Sequence, residues 1–181
     1  MKSYNLTQKI AKNATTDALI NDLKSDVDVA IVLEYNNGGC VRTAFDIVTA
    51  MINSNAKIEV TVKGYAKSMA AFIYCFSFSF YMNNSKRNIT CLGGNGIPDP
   101  FLLLHKTRLK VDARDERFVF IDEILAYTPQ TELEFYKNCN QTVNSTFKYY
   151  IDAVTTNQQI KTRHKKNYSN CADIILPVQG T

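Results

Sequence analysis

The chain is poor in histidine. Only His105 and His164 occur among 181 residues, so any imidazole chemistry must use one of these two. Tryptophan is absent, and four prolines and seven glycines are too few for a collagen-like or low-complexity chain. The five cysteines, Cys40, Cys75, Cys91, Cys139 and Cys171, are scattered, odd in number and without a CxxC pair. That argues against a zinc knuckle or a disulfide framework and for reduced thiols in the cytoplasm. No metal and no cofactor is expected. The N-terminal residues Met1-Lys2-Ser3-Tyr4-Asn5 lack the apolar core of a signal peptide. The longest apolar run, Met69 to Met82, is broken by Ser77 and Ser79 and too short for a bilayer; it reads as a buried helix, with no membrane partner. Neither sign of charge dominates: the net charge is +4. The basic run of Lys161, Arg163, His164, Lys165 and Lys166 reads as a solvated face, and no nucleic-acid partner is expected.

What is present is ordinary for a globular chain, with 45% apolar and 21% charged residues in a length suited to one domain, residues 1–181. Ala18, Leu19, Ile20 and Leu23 have helical spacing after Thr15-Thr16-Asp17, which can cap a helix. Val29-Ala30-Ile31-Val32-Leu33 reads as a strand buried on both faces, broken at Asn36-Asn37-Gly38-Gly39. Ala44, Phe45, Ile47, Val48, Met51 and Ile52 mark an amphipathic helix. Ile58, Val60 and Val62 alternate as in a strand that ends at Gly64, and a helix follows from about Ser68 to Phe80. Alternation of strand and helix argues for a mainly parallel α/β sheet. Ile89 to Leu92 and Phe101 to Leu104 read as further strands, separated by a Gly/Pro loop over 93–100. From Val111 to about Val154 the pattern is mostly helical, interrupted near Pro129, and the stretch from Ala172 to Pro177 reads as a last strand.

Two backbone breaks lie where ligands gather in parallel sheets, at the carboxyl ends of strands. Gly38-Gly39 precedes one helix and Ser68 opens another. Backbone N–H groups at Gly39 and Met69 would suit a developing oxyanion. Ser68 at a strand-to-helix turn follows the logic of a nucleophile elbow, although the GxSxG motif is missing. The plainer alternatives are a simple N-cap serine and an ordinary glycine turn. His105 ends the apolar run Phe101-Leu102-Leu103-Leu104, where it reads either as a structural residue or as a base.

The turn Asn36-Asn37-Gly38-Gly39, followed by Gly64-Tyr65-Ala66-Lys67-Ser68-Met69-Ala70-Ala71-Phe72, resembles ClpP, the proteolytic subunit of the Clp protease. That family carries a Ser-Pro-Gly-Gly turn and a Gly-x-Ala-x-Ser-Met-Gly-Ala-Phe block. Leu103-Leu104-His105 resembles its Met-Ile-His segment. The resemblance covers roughly Val29 to Leu109 well. It implies the ClpP/crotonase-like ββα spiral with a mainly parallel sheet and a helical handle region, here about residues 106–160. It implies Ser68 as nucleophile, His105 as general base, and an oxyanion hole from the N–H groups of Gly39 and Met69. In the family an aspartate near the C-terminus completes the triad; Asn167 aligns there, with Asp152 and Asp173 as alternatives. A peptide or unfolded-protein substrate and a homo-oligomer, a heptameric ring in the family's pattern, are implied as well. So is contact with host ClpP/ClpR subunits or a Clp ATPase.

The chain also departs from the pattern. Tyr4-Asn5-Leu6-Thr7 aligns with the family's first main strand, so the axial gate and first helix have no counterpart before it. Lys106-Thr107-Arg108-Leu109 replaces the Gly-Gly strand after the histidine, and Lys165-Lys166 replaces the acidic and arginine pairing residues. A shortened, divergent copy of this kind suits a phage-encoded protein. The alternative is a catalytically weak or inactive subunit that co-assembles with a host Clp protease. A crotonase-like acyl-CoA enzyme shares the fold but needs neither the Ser-Met block nor this histidine.

Overall fold

The computed structural model describes residues 1–83, 88–93, 99–110, 118–120 and 130–181. The parallel core of the sheet is built from β1 (Lys2–Ile10), β2 (Val29–Gly39) and β3 (Ile58–Lys67). Helices α1 (Ala14–Lys24) and α2 (Val41–Asn53) make the two crossovers. Val29, Ile31 and Leu33 of β2 and Ile58, Val60 and Val62 of β3 are fully buried, so alternate residues of each strand face one core.

Beyond β3 the sheet divides. The first half of β3, Ile58 to Thr61, pairs in parallel with β4 (Ile89–Leu92). Its last residues, Tyr65 to Lys67, pair in parallel with β5 (Phe101–Leu104). An antiparallel β8 (Ile174–Pro177) closes the far side of β5. The sheet is therefore mainly parallel, with strand order β1-β2-β3-β5-β8 and β4 set beside β3. A two-stranded antiparallel ribbon, β6 (Arg108–Lys110) with β7 (Phe118–Phe120), stands apart from it.

Helix α3 (Met69–Asn83) is apolar on nearly every side, which suits a helix surrounded by protein. Met69 to Cys75 are all buried, and Phe72 stacks on Phe45 of α2 at 4.9 Å between centroids. Helix α4 (Gln130–Val154) covers α3: the Tyr150 ring packs edge-on against Phe78 at 5.1 Å. The Tyr150 hydroxyl donates to the Pro177 carbonyl and accepts from Gln179 N–H, tying α4 to the segment after β8. Helix α5 (Gln158–Ser169) follows, with Asn157 capping its N-terminus.

Several sequence expectations change in the fold. Helix α1 is capped by Asn13, not by Thr15 or Asp17; Thr16 answers from N3 in a reciprocal capping box. Strand β2 does not break at Asn36 but continues to Gly39, because Ile10 of β1 extends the ladder that far. Strand β3 likewise runs through Gly64 to Lys67. The helical reading from Val111 onward is corrected at Phe118–Phe120, which is strand, paired with Arg108–Lys110. Its positions 111–117 and 121–129, and 94–98 of the Gly/Pro loop, lie outside the described residues. From Gln130 the expected helix is present.

Candidate active site

Ser68 sits between the last residue of β3 and the first of α3, with φ at +53°. A serine in the left-handed region is strained, by about 1–3 kcal/mol, so surrounding contacts must hold it there. Its N–H donates to the Leu103 carbonyl at 3.0 Å, which carries the β3–β5 ladder one residue past Lys67. Its carbonyl accepts the Phe72 N–H at 2.9 Å and starts the helix. The Met69 N–H, first amide of α3, has no intrahelical acceptor, as at the start of any α-helix. Lys67 does not form a dyad with its neighbour: its ammonium lies 4.3 Å above the Tyr65 ring.

The Gly38-Gly39 turn meets this elbow from the neighbouring strand. A Cβ on Gly38 would lie 2.5 Å from Ser68 Cβ, 2.6 Å from the Lys67 carbonyl oxygen and 2.9 Å from Met69 N. A Cβ on Gly39 would fall 2.2 Å from the Ile10 carbonyl oxygen. Both have positive φ, +84° and +145°, so glycine is required twice over. The turn is held by Asn36, which is completely buried. Its Oδ1 accepts the Gly38 N–H at 2.9 Å, and its Nδ2 donates to the Leu6 carbonyl at 2.8 Å. Cys40 N–H donates to the Ile10 carbonyl at 2.8 Å. The Gly39 N–H thus lies between two amides that are already spent. Sequence reasoning missed Asn36 and Gly38 as site residues. The signal was an asparagine two residues before a glycine, the spacing of an Asx turn.

His105 follows β5 directly and is half-buried. Because β3 and β5 run side by side with Lys67 opposite Leu103, Ser68 and His105 leave adjacent strand ends. No hydrogen bond joins their side chains among the described residues. The His105 Nδ1 instead lies 2.7 Å from the Lys106 carbonyl oxygen. With a proton on Nδ1 donated to that carbonyl, Nε2 is the basic nitrogen. Burial pushes the imidazole pKa below its ordinary value, against the Lys106 hydrogen bond, which pulls it up.

The three acceptors considered for the triad end up in different places. Asn167 is exposed near the end of α5, and its backbone carbonyl accepts the Ala172 N–H at 2.9 Å. Asp152 on α4 pairs with Lys165 of α5 at 2.5 Å. Asp173 precedes β8 and binds Arg108 at 2.8 Å. The structure does not bring Asn167 or Asp152 onto the imidazole.

A mainly parallel sheet with a buried α3, entered through a Gly-x-Ala-x-Ser-Met turn, is consistent with a ClpP-like α/β fold. The Clp protease family model matches residues 3–84 of the 181-residue chain, and over that segment the chain is similar to the family. The match contains β1 to α3, hence both Gly38-Gly39 and Ser68, and ends before His105. No curated protein is similar enough to the chain to count as a match. Among the described residues, no helix is long and apolar enough to cross a membrane.

Proposed function

We propose that the protein is a ClpP-like serine endopeptidase that hydrolyses peptides or unfolded protein. Ser68 is the nucleophile, His105 the general base, and the N–H groups of Gly39 and Met69 the oxyanion hole. The observation that carries this reading is the Ser68 elbow. A strained serine is pressed against a glycine turn at the mouth of a buried helix, one strand away from the better placed of two histidines. Gln8, Asp26, Tyr35 and Cys171 share the left-handed backbone, so what points to chemistry at Ser68 is its place against the glycine turn at a helix mouth and not its φ alone.

In the proposed reaction Nε2 of His105 takes the Ser68 proton as Oγ attacks the scissile carbonyl. The oxyanion draws on the first amide of α3 and on the Gly39 amide. The imidazolium then protonates the leaving amine, and water hydrolyses the acyl-enzyme by the same steps. Closing the gap between Ser68 and His105 is expected on substrate binding, since catalytic hydrogen bonds are often loose in unliganded sites. A ring of subunits, as the family resemblance implies, would enclose these sites.

A second reading is a catalytically weak subunit that co-assembles with a host Clp protease. The missing Ser68–His105 hydrogen bond and the exposed Asn167 favour it. Labelling by a fluorophosphonate probe separates the two. The peptidase reading expects stoichiometric labelling of the wild type that disappears in Ser68→Ala and His105→Ala. Absence of labelling in well-folded wild type would leave the second reading.

A further inference from the structure

The strand ends around Ser68 carry one sign of charge. The segments that leave β1, β2, β3 and β5, residues 7–16, 35–45, 64–72 and 101–109, contain Lys9, Lys12, Arg42, Lys67, Lys106 and Arg108. They contain no aspartate and no glutamate, in a chain that has 17 acidic residues. Helices α2 and α3 begin in these segments, with no acidic residue in either first turn, so their amides add to the positive potential. Glu132 and Glu134 at the start of α4 are exposed, and neither pairs with these cations among the described residues. A cleft walled by one sign of charge draws in the opposite one.

Among these cations Lys9 has a particular place. Strand β1 shifts register on both sides of Gln8, whose φ is +62°, so a bulge separates the pairing of Gln8 with Asn36 from that of Ile10 with Gly39. Bulges re-aim side chains. Here the Lys9 stem is laid on the glycine turn: a Cβ on Gly39 would lie 2.8 Å from Lys9 Cγ. The backbone is pinned on either side of the lysine, since the Leu6 carbonyl accepts from Asn36 Nδ2 and the Ile10 carbonyl from Cys40 N–H. Lys9 stays exposed, so its ammonium is tethered close to Gly39 with its head in water. The neighbouring cations are engaged. Lys67 lies over the Tyr65 ring at 4.3 Å, Arg42 over the Phe135 ring at 4.5 Å, and Arg108 binds Asp173 at 2.8 Å. Lys9 has neither a carboxylate nor a ring as partner among the described residues.

We propose that the site selects peptides with an aspartate or glutamate side chain beside the scissile bond, and that Lys9 is the residue that receives this carboxylate. This rests on the reading of Ser68 as nucleophile and of the Gly39 amide as an oxyanion donor. Gly39 is then the common neighbour. Its amide holds the reacting carbonyl, and its Cα carries the Lys9 stem. A peptide bound at that amide passes its adjacent side chains over the turn, within reach of Lys9. The lysine does not touch the reacting atoms; it determines specificity. An exposed ion pair is modest in strength, which suits discrimination between substrates more than tight binding.

The test compares two peptidyl phosphonate probes on the full chain. Both are built on one end-capped peptide, with a glutamate or a glutamine next to the phosphonate, so the side-chain carboxylate is the only difference. The wild type should label about threefold to fivefold faster with the glutamate probe at low salt, the range of an exposed ion pair. Salt at ~0.5 M should bring that ratio towards one. Lys9→Met should abolish the preference, Lys9→Arg should retain it and Lys9→Glu should reverse it. All three replace an exposed side chain, so folding is not expected to intervene. A ratio of one in the wild type would overturn the proposal while the labelling itself leaves the peptidase reading standing. A preference lost in Lys67→Met and kept in Lys9→Met would overturn it too. If neither probe labels well-folded wild type, the peptidase reading falls. Fluorescence anisotropy of the two parent peptides on the wild type then decides whether Lys9 holds a carboxylate at the glycine turn. Equal affinity overturns that, and tighter binding of the glutamate peptide that is lost in Lys9→Met upholds it.

Discussion

Gly38 lies against Ser68 so closely that any side chain on the glycine would occupy the space of the serine Cβ, 2.5 Å away. Nothing flexible is available to give way, since the other close atoms are the Lys67 carbonyl and the Met69 nitrogen. Gly38→Ala is therefore expected to move the elbow. With a left-handed backbone added to the clash, the cost should be about 2 kcal/mol or more, with loss of probe labelling. Urea denaturation and labelling of the same sample test this. An unchanged midpoint and unchanged labelling would show that the two residues are not in contact.

Asn36 links the turn to β1. Removing its side chain leaves the Gly38 N–H and the Leu6 carbonyl without partners in a fully buried place. Asn36→Ala should cost on the order of 2–4 kcal/mol. Asn36→Asp retains the acceptor but loses the donor and buries a charge, so it should be no better. An aspartate variant as stable as wild type would mean that the Leu6 bond contributes nothing.

Ser68 in a left-handed conformation makes a separable prediction. Ser68→Ala and Ser68→Gly should both be inactive, but glycine releases the strain. We expect Ser68→Gly to be more stable than Ser68→Ala by about 1 kcal/mol. Equal melting temperatures for the two would argue against the strained φ.

The burial of His105 has consequences in pH. Its pKa in the folded protein lies below the ordinary 6.5. The base is neutral at neutral pH, so the acid limb of kcat/KM should fall below pH 6.5. The unfolded chain takes up the proton first as pH falls, so stability is whole above about 6.5 and declines between that value and the folded pKa. His105→Gln should remove that decline. A limb above 6.5, or a decline unaffected by the substitution, would contradict the assignment.

Tyr150→Phe should lower stability by about 1–2 kcal/mol, because Gln179 N–H loses its acceptor and the Pro177 carbonyl its donor. The effect is expected on unfolding and not on labelling, since the contact lies behind α3. A drop in labelling without a drop in stability would link this segment to the site instead.

Periodicity alone placed most of the elements. Val29 to Leu33, Ile58 to Val62 and the continuous apolar run from Met69 were readable because burial on both faces leaves no other pattern. The ends of these elements were less readable. Asn36 to Gly39 looks like a break, yet it stays in the sheet because Ile10 supplies a ladder partner that no local signal reveals. The ribbon Arg108–Lys110 with Phe118–Phe120 was hidden for the same reason, as each strand is only three residues long.

The amino-acid sequence by itself determined the alternation of strand and helix, the glycine pair, the Ser-Met block and the shortage of histidine that singles out His105. These depend on local patterns and on composition. The tertiary structure decided what faces what. It pressed Gly38 onto Ser68, turned the His105 ring to the Lys106 carbonyl and left Asn167 on the surface. It also set Ile174 opposite Leu104, although 70 positions separate them along the chain. Strand register brings such residues together, and register is fixed by pairing between distant segments that no single stretch of sequence encodes.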